Sequence, residues 1–402
     1  MVTDELSPLN WQLNRILITI LFISNFFPFY ITLIVFVVEL ILLYALGVFR
    51  RIDSRQQASP YLWIFIAYSL VISIIFQNIV GAFISLGLAV ILVYFHYYQT
   101  IIKPYYFEEL LNMALIASFI LFIFAGLEHL DYIPEWDYTF ISDIMGRTHN
   151  NRVEATFFNP NYYAMMLEFF IMIGVYKATR TQKLRKKFVY SFISLCNVVA
   201  LLFTGTRTAL VVVIACLFIF FYVYGYKRTA IYSFIAMGAA TLTLYYFNLL
   251  PRMEDIFYAV TDRFEIWQVA GKALLDNYWF GQGPLTYMHV WQDYGEKYTQ
   301  HAHNIVLDTL LNYGLIGSSI LIVPMIKFGQ VINRMRHYPQ LRLRLALICA
   351  IIGVVLIHGL TDVTIFWVQT GFLFLFIILA AQQMLNEVEN HPTIYQKTHR
   401  IE

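Results

Sequence analysis

The chain has 402 residues, 59% hydrophobic and only 13% charged, with a mean hydropathy of +0.63. A soluble domain carries roughly 25% charged side chains, so the composition excludes a water-dissolved globular protein and indicates a chain embedded mainly in lipid. The formal net charge of +2 says little, because in a membrane protein the placement of charge matters more than its sum.

In chain order, residues 1–15 are polar and end in Arg15, and an apolar run then extends from Ile16 to Phe49. That run is too long for one crossing at roughly 20 residues. Pro28 breaks it into two short spans that form a hairpin. No small-residue cleavage site follows the first span, so it reads as a retained anchor and not as a signal peptide. Further spans are expected at about 60–77, 79–98, 109–126, 161–177, 188–203, 208–226, 229–249, 306–328, 343–361 and 364–385. The fold class is therefore all-α: one polytopic membrane domain over 1–402, with about 12 transmembrane helices. Cys196, Cys216 and Cys349 all fall in apolar runs and read as small buried hydrophobes, with no disulfide and no metal site expected.

Charge placement supports this layout. With both termini inside, Arg147, Arg152, Arg207, Arg252, Arg263, Lys272 and Lys297 fall outside, and the other twenty of the 27 basic residues fall on the inner side. The positive-inside rule thus predicts twelve spans with cytoplasmic ends.

Two outer segments are long enough to hold a site. The first, Glu128 to Asn159, contains Pro134, Trp136, Arg147 and Arg152, and leads through Phe158-Asn159-Pro160-Asn161 into the next span. The second, Leu250 to Ala302, has helical signals of its own. Asp262 and Glu265 resemble a capping box. After it, Phe264, Trp267, Gly271 and Leu274–Leu275 form an apolar stripe, with Arg263, Gln268 and Lys272 off it. This predicts an amphipathic helix against the outer membrane surface. Gly281-Gln282-Gly283-Pro284 reads as a turn and not a dinucleotide fingerprint, because no strand precedes it and the third glycine is missing.

Several polar residues are candidates for chemistry, each with a plainer structural alternative. His301 and His303 sit where a polar loop meets a span. An imidazole, with an unperturbed pKa of roughly 6.5, can take a proton from a hydroxyl there; the alternative is a pair of interfacial histidines. Arg207, in the short turn Thr204-Gly205-Thr206-Arg207, either snorkels to headgroups or offers a fork for phosphate oxygens. Arg263 either does the same or forms a surface ion pair with Asp262 or Glu265. Asn304, Asp308 and Asn312 share one helix face and either line a wet cavity or seal packing. His303 and Asp308 lie on different faces, so Asp308 is not expected to orient it. His358 and Asp362, four apart, are a possible orienting pair. Glu39 and Glu168 lie within spans, where carboxylates are costly. Glu39 reads as a partnered structural group, whereas Glu168, two turns below Asn161, is placed to reach a cavity.

Together, Thr204-Gly205-Thr206-Arg207, Arg263-Phe264-Glu265-Ile266-Trp267, Gly281-Gln282-Gly283 and His303-Asn304 followed by Gly314 and Gly317 resemble the O-antigen ligase and polymerase superfamily of bacterial envelope glycan enzymes. Phe158-Asn159-Pro160-Asn161 matches more weakly, and the motif region covers 158–317. The resemblance implies a helical membrane bundle whose cavity opens to the extracytoplasmic side of the bacterial plasma (inner) membrane. It implies a polyprenyl-diphosphate-linked oligosaccharide donor and a glycan or lipid acceptor. No cofactor and no metal are implied. Its functional arginines fall on Arg207 and Arg263 and its histidine on His303; His301, which is not part of the motif, and Asn304, Asn161, Glu168, Arg147 and Arg152 are accessory candidates by their own placement in the chain. A polymerase is preferred slightly over a ligase. The expected partners are the bilayer, the lipid-linked donor, the acceptor and other polysaccharide-assembly membrane proteins, with no nucleic acid. A twelve-span transporter or flippase, or a non-catalytic assembly scaffold, are the alternatives. The large loop between spans nine and ten has no counterpart in the first half, which counts against a repeat-built transporter.

Overall fold

The computed structural model describes residues 11–51, 59–133, 149, 152–247 and 256–390. Among these residues the regular structure is helical, with no strand. Helices α1 (Trp11–Ser24) and α2 (Phe29–Ala45) are parted at Pro28, the residue before α2. Proline lacks the N–H that a continuing helix needs. Helix α3 (Ser59–Ile75) follows, and Asn78 caps α4 (Ile79–Ile101) by accepting from the Gly81 N–H at 2.8 Å. Both α5 (Pro104–His129) and α6 (Pro160–Arg180) begin on a proline, a first-turn position that loses no hydrogen bond. Helices α7 (Leu184–Phe203), α8 (Arg207–Tyr224) and α9 (Lys227–Tyr246) complete the middle of the chain. Helices α10 (Ile256–Asp276) and α11 (Thr286–Tyr294) belong to the second long loop. The chain returns to the bundle with α12 (Ile305–Met335), α13 (Arg342–His358), α14 (Val368–Ile378) and α15 (Ala380–Asn390).

Each of the twelve expected spans coincides with one helix or, at the end, with the α14–α15 pair. Among the described residues, seven helical stretches are long and apolar enough to cross a membrane, and α1, α2 and α3 are shorter apolar helices. Helix α6 is buried nearly all round, from Tyr163 through Ile173, and packs against α7, α8 and α13. A helix without a polar face belongs inside its bundle, so α6 is the axis around which the site is assembled.

The loop helices differ from the sequence expectation in two respects. The Asp262–Glu265 capping box is absent, because α10 already begins at Ile256 and Asp262 is internal, paired with Lys297 at 2.8 Å. The buried stripe is also rotated: Ile266, Val269, Ala270 and Ala273 are buried, whereas Phe264 and Leu275 are exposed. The reason is tertiary. Tyr287 and Val290 of α11, with Ala302 and Leu311, cover that face and make a second small core on α12.

Two glycines explain how this loop is seated. Gly281 (φ +67°) and Gly314 (φ +61°) hold left-handed or related backbone that side chains disfavour. A Cβ on Gly281 would lie 2.4 Å from the Asn312 carbonyl oxygen, and one on Gly314 would lie 2.4 Å from the Trp279 carbonyl. Gly283 N–H donates to Asn312 O at 2.7 Å and Leu315 N–H to Tyr278 O at 2.8 Å. The kink in α12 at Gly314 thus frees backbone groups that dock the loop directly.

Candidate active site

Helix α12 fixes the histidine loop. Asn304 is its N-cap, accepting from Val306 N–H at 3.1 Å and Leu307 N–H at 3.0 Å, while its amide donates to Leu360 O at 3.1 Å. Asp308 accepts from Ala302 N–H and from the Asn312 amide, both at 2.8 Å, and Asn312 accepts from Thr286 N–H at 3.0 Å. The polar stripe therefore seals the loop to the helix, with Asn304 capping its start. Held this way, His303 adopts φ +50°, a region uncommon for non-glycine residues and typical of constrained sites.

Asp362, in the turn after α13, is the hub. It is buried and accepts from His303 Nδ1 at 2.8 Å, from the Asn161 amide at 2.6 Å and from Val363 N–H at 2.8 Å. His301 Nε2 lies 3.9 Å away and Arg263 Nη2 4.0 Å away. Burial alone would raise this carboxyl, but the His303 hydrogen bond, with His301 and Arg263 nearby, pulls it well below the usual carboxylate range. In the neutral imidazole, an ionised Asp362 accepts the Nδ1 proton of His303 and leaves Nε2 as the acceptor. Nε2 now faces Thr299 Oγ1 at 3.0 Å. The His301 ring packs edge-on against His303 with centroids 4.4 Å apart.

Beside Asp362 lies a cavity of about 500 Å³ whose walls include Arg152, Asn161, Arg207, Arg263, Trp267, His358 and Asp362. Arg207 opens α8, and Gly205 at φ +63° turns the chain into it. Arg152 bridges three segments, donating to Thr204 O and Asn161 Oδ1 at 2.8 Å and to Thr206 Oγ1 at 3.1 Å. Burial pushes the Arg263 guanidinium down, with Asp362 and Asp262 holding it up; an arginine stays charged nonetheless. Three guanidinium groups thus border one void, and the planar fork of donors on each is chemically suited to phosphate or carboxylate oxygens.

The expected His358–Asp362 side-chain pair does not form. His358 is the last residue of α13, so helical spacing does not extend to Asp362. His358 Nδ1 instead meets both Glu168 oxygens at 2.9 and 3.0 Å, and both residues are fully buried. Glu168 itself reaches the cavity only through that imidazole. Arg147 lies outside the described residues. His301, His303 and Asp362 also place three donor atoms within 4.8 Å of one another, a set able to hold a divalent ion. Asp362, whose side-chain partners His303 and Asn161 are distant in sequence, is the cavity residue that helix periodicity assigned to the wrong partner.

No curated protein matches the chain. Residues 189–322 match the family model described as O-antigen ligase, a segment that runs from α7 into α12 and contains Arg207, Arg263 and His303. Over this segment, about a third of its length, the chain is similar to the O-antigen ligase family.

Proposed function

We propose that the protein transfers an oligosaccharide from a polyprenyl diphosphate carrier to a sugar hydroxyl on the extracytoplasmic side of the bacterial plasma membrane, with both chain ends cytoplasmic. The observation that carries this reading is the convergence of Arg152, Arg207 and Arg263 on one cavity that also contains Asp362, the carboxylate bonded to His303. The acceptor hydroxyl replaces Thr299 at His303 Nε2. Its oxygen attacks the anomeric carbon, the bond to the diphosphate oxygen breaks, and the electron pair leaves with the carrier diphosphate. The hydroxyl proton passes to His303, whose imidazolium Asp362 stabilises. Arg207 and Arg263 hold the diphosphate, whose charge grows as the bond breaks. We assign the acceptor as a second lipid-linked glycan, making a polymerase, with a ligase-type acceptor next. The arginines make the reaction metal-independent in this scheme.

The test is donor binding and turnover for His303→Ala, Arg207→Ala and Arg263→Ala in detergent. His303→Ala is expected to lower kcat by about 10²–10⁴ with donor affinity little changed. The arginine variants weaken both binding and turnover. Near wild-type turnover for His303→Ala removes it as the base. Turnover that vanishes with a chelator and returns with a divalent ion replaces the arginine scheme by one using the His301, His303 and Asp362 donor set.

A further inference from the structure

One wall group of the cavity is not used in this scheme. His358 is fully buried and lines the void. Its Nδ1 is held by Glu168 at 2.9 Å, whereas its Nε2 is buried without a hydrogen-bond partner among the described residues. The two ring nitrogens point in nearly opposite directions, so anchoring Nδ1 to α6 aims Nε2 away from that helix. A buried nitrogen left unpaired is costly, and the void beside it is where a ligand oxygen can meet it.

We propose that His358 is a further binding contact for the anionic group in the cavity, donating Nε2–H to a diphosphate oxygen. Glu168 is its positioning residue. The inference rests on the diphosphate reading of the cavity. The charged groups around His358 are Glu168 on α6, Arg263 on α10, Asp362 in the following turn, and Arg152 and Arg207 among the cavity walls. With two protons on the Glu168–His358 pair, whichever of Glu168 and Nδ1 holds the first, Nε2 holds the second. The pair is then neutral overall, so it adds a donor to the arginine site without adding net positive charge to a buried position.

The experiment measures binding of farnesyl diphosphate to the full-length protein in detergent, with farnesol as the blank. His358→Asn keeps an amide donor toward Glu168 and loses the cavity-facing nitrogen. His358→Gln can place an amide nitrogen near the Nε2 position. The expected result is a loss of about tenfold to a hundredfold for His358→Asn and a loss several times smaller for His358→Gln, with Arg207→Ala weakened in the same assay. A folded His358→Asn protein with wild-type affinity, beside a weakened Arg207→Ala, overturns the assignment while leaving the diphosphate reading standing. Unchanged affinity in both Arg207→Ala and Arg263→Ala overturns the diphosphate reading itself. If the His358 variants do not fold, Glu168→Gln, which leaves the imidazole in place but removes the carboxylate that orients it, is measured in the same assay. Weakened farnesyl diphosphate binding by folded Glu168→Gln supports the contact, and wild-type affinity overturns it.

Discussion

Two buried carboxylates lie at opposite ends of α6 and α13, and their cations are arranged differently. Glu108 of α5 accepts from Tyr176, meets Lys177 Nζ at 3.0 Å and Arg344 Nε at 3.5 Å, and also pairs with Arg180. Asp362 is saturated by His303, Asn161 and the Val363 N–H, while its arginine neighbour Arg263 stands 4.0 Å away beside a cavity of about 500 Å³. Around Glu108 the cations close on the carboxylate and staple α5, α6 and α13. Around Asp362 a histidine takes the carboxylate, and the arginines face a void. The same residue types close into a staple in one place and line a cavity in the other, and the difference is whether the guanidinium groups gather on the carboxylate or on the void beside it.

That contrast predicts opposite phenotypes. Asp362→Asn removes the charge that stabilises the His303 imidazolium and fixes its tautomer, so kcat should fall on the order of 10²–10⁴. Steady-state turnover of folded protein measures it, and near wild-type turnover breaks the assignment of Asp362 as the orienting group. Glu108→Gln should do the reverse. It leaves Lys177, Arg180 and Arg344 without their counter-charge, a change that typically destabilises by about 3–5 kcal/mol. Because the Arg180 side chain is 36% exposed and can turn to solvent, the lower end is expected. Unfolding in detergent reads this loss, while turnover per folded molecule stays unchanged. A Glu108→Gln protein of normal stability but low turnover would erase the distinction between staple and site.

The features legible in the sequence were those carried by local pattern. Apolar runs broken at Pro28 and bounded by Pro104 and Pro160 reveal the helices. Arg207 and Arg263 stand out because each opposes the charge of its surroundings, and both line the cavity. What depends on tertiary contact was hidden. His303 and Asp362 are 59 residues apart and meet only because Ile305 N–H bonds to Gly359 O at 2.6 Å, bringing the start of α12 against the end of α13. Helix α10 carries two overlapping apolar stripes, and only α11 determines that Ile266, Val269 and Ala273 are the buried set. Gly281 and Gly314 are visible as letters, but their mutual backbone docking is not.

The smallest expected effect concerns His301, which is neither stapled nor bonded like His303. Its Nδ1 has no hydrogen-bond partner among the described residues, and its Nε2 is 3.9 Å from Asp362. Burial pushes the His301 pKa below the ordinary histidine value, and the nearby Asp362 only partly offsets this. An ordinary histidine titrates near about 6.5. Above that pH, His301 is neutral in both folded and unfolded chains and contributes no pH dependence. As pH falls below it, the unfolded chain binds a proton that the folded chain does not, so stability is lost toward acid. One group can contribute at most about 1.4 kcal/mol per pH unit. Asp362, depressed below the usual carboxylate range of about 3.9, keeps its own contribution throughout this window and loses it only in stronger acid. His301→Gln removes the imidazole proton, so the stability of wild type relative to His301→Gln should be flat above about pH 7 and decline between about pH 6.5 and 5. A relative stability that instead rises toward acid means the folded site protonates His301 more readily than the unfolded chain does. In that case Asp362 would be pairing with a second cation, and this end of the bundle would resemble the Glu108 staple more than an open polyanion site.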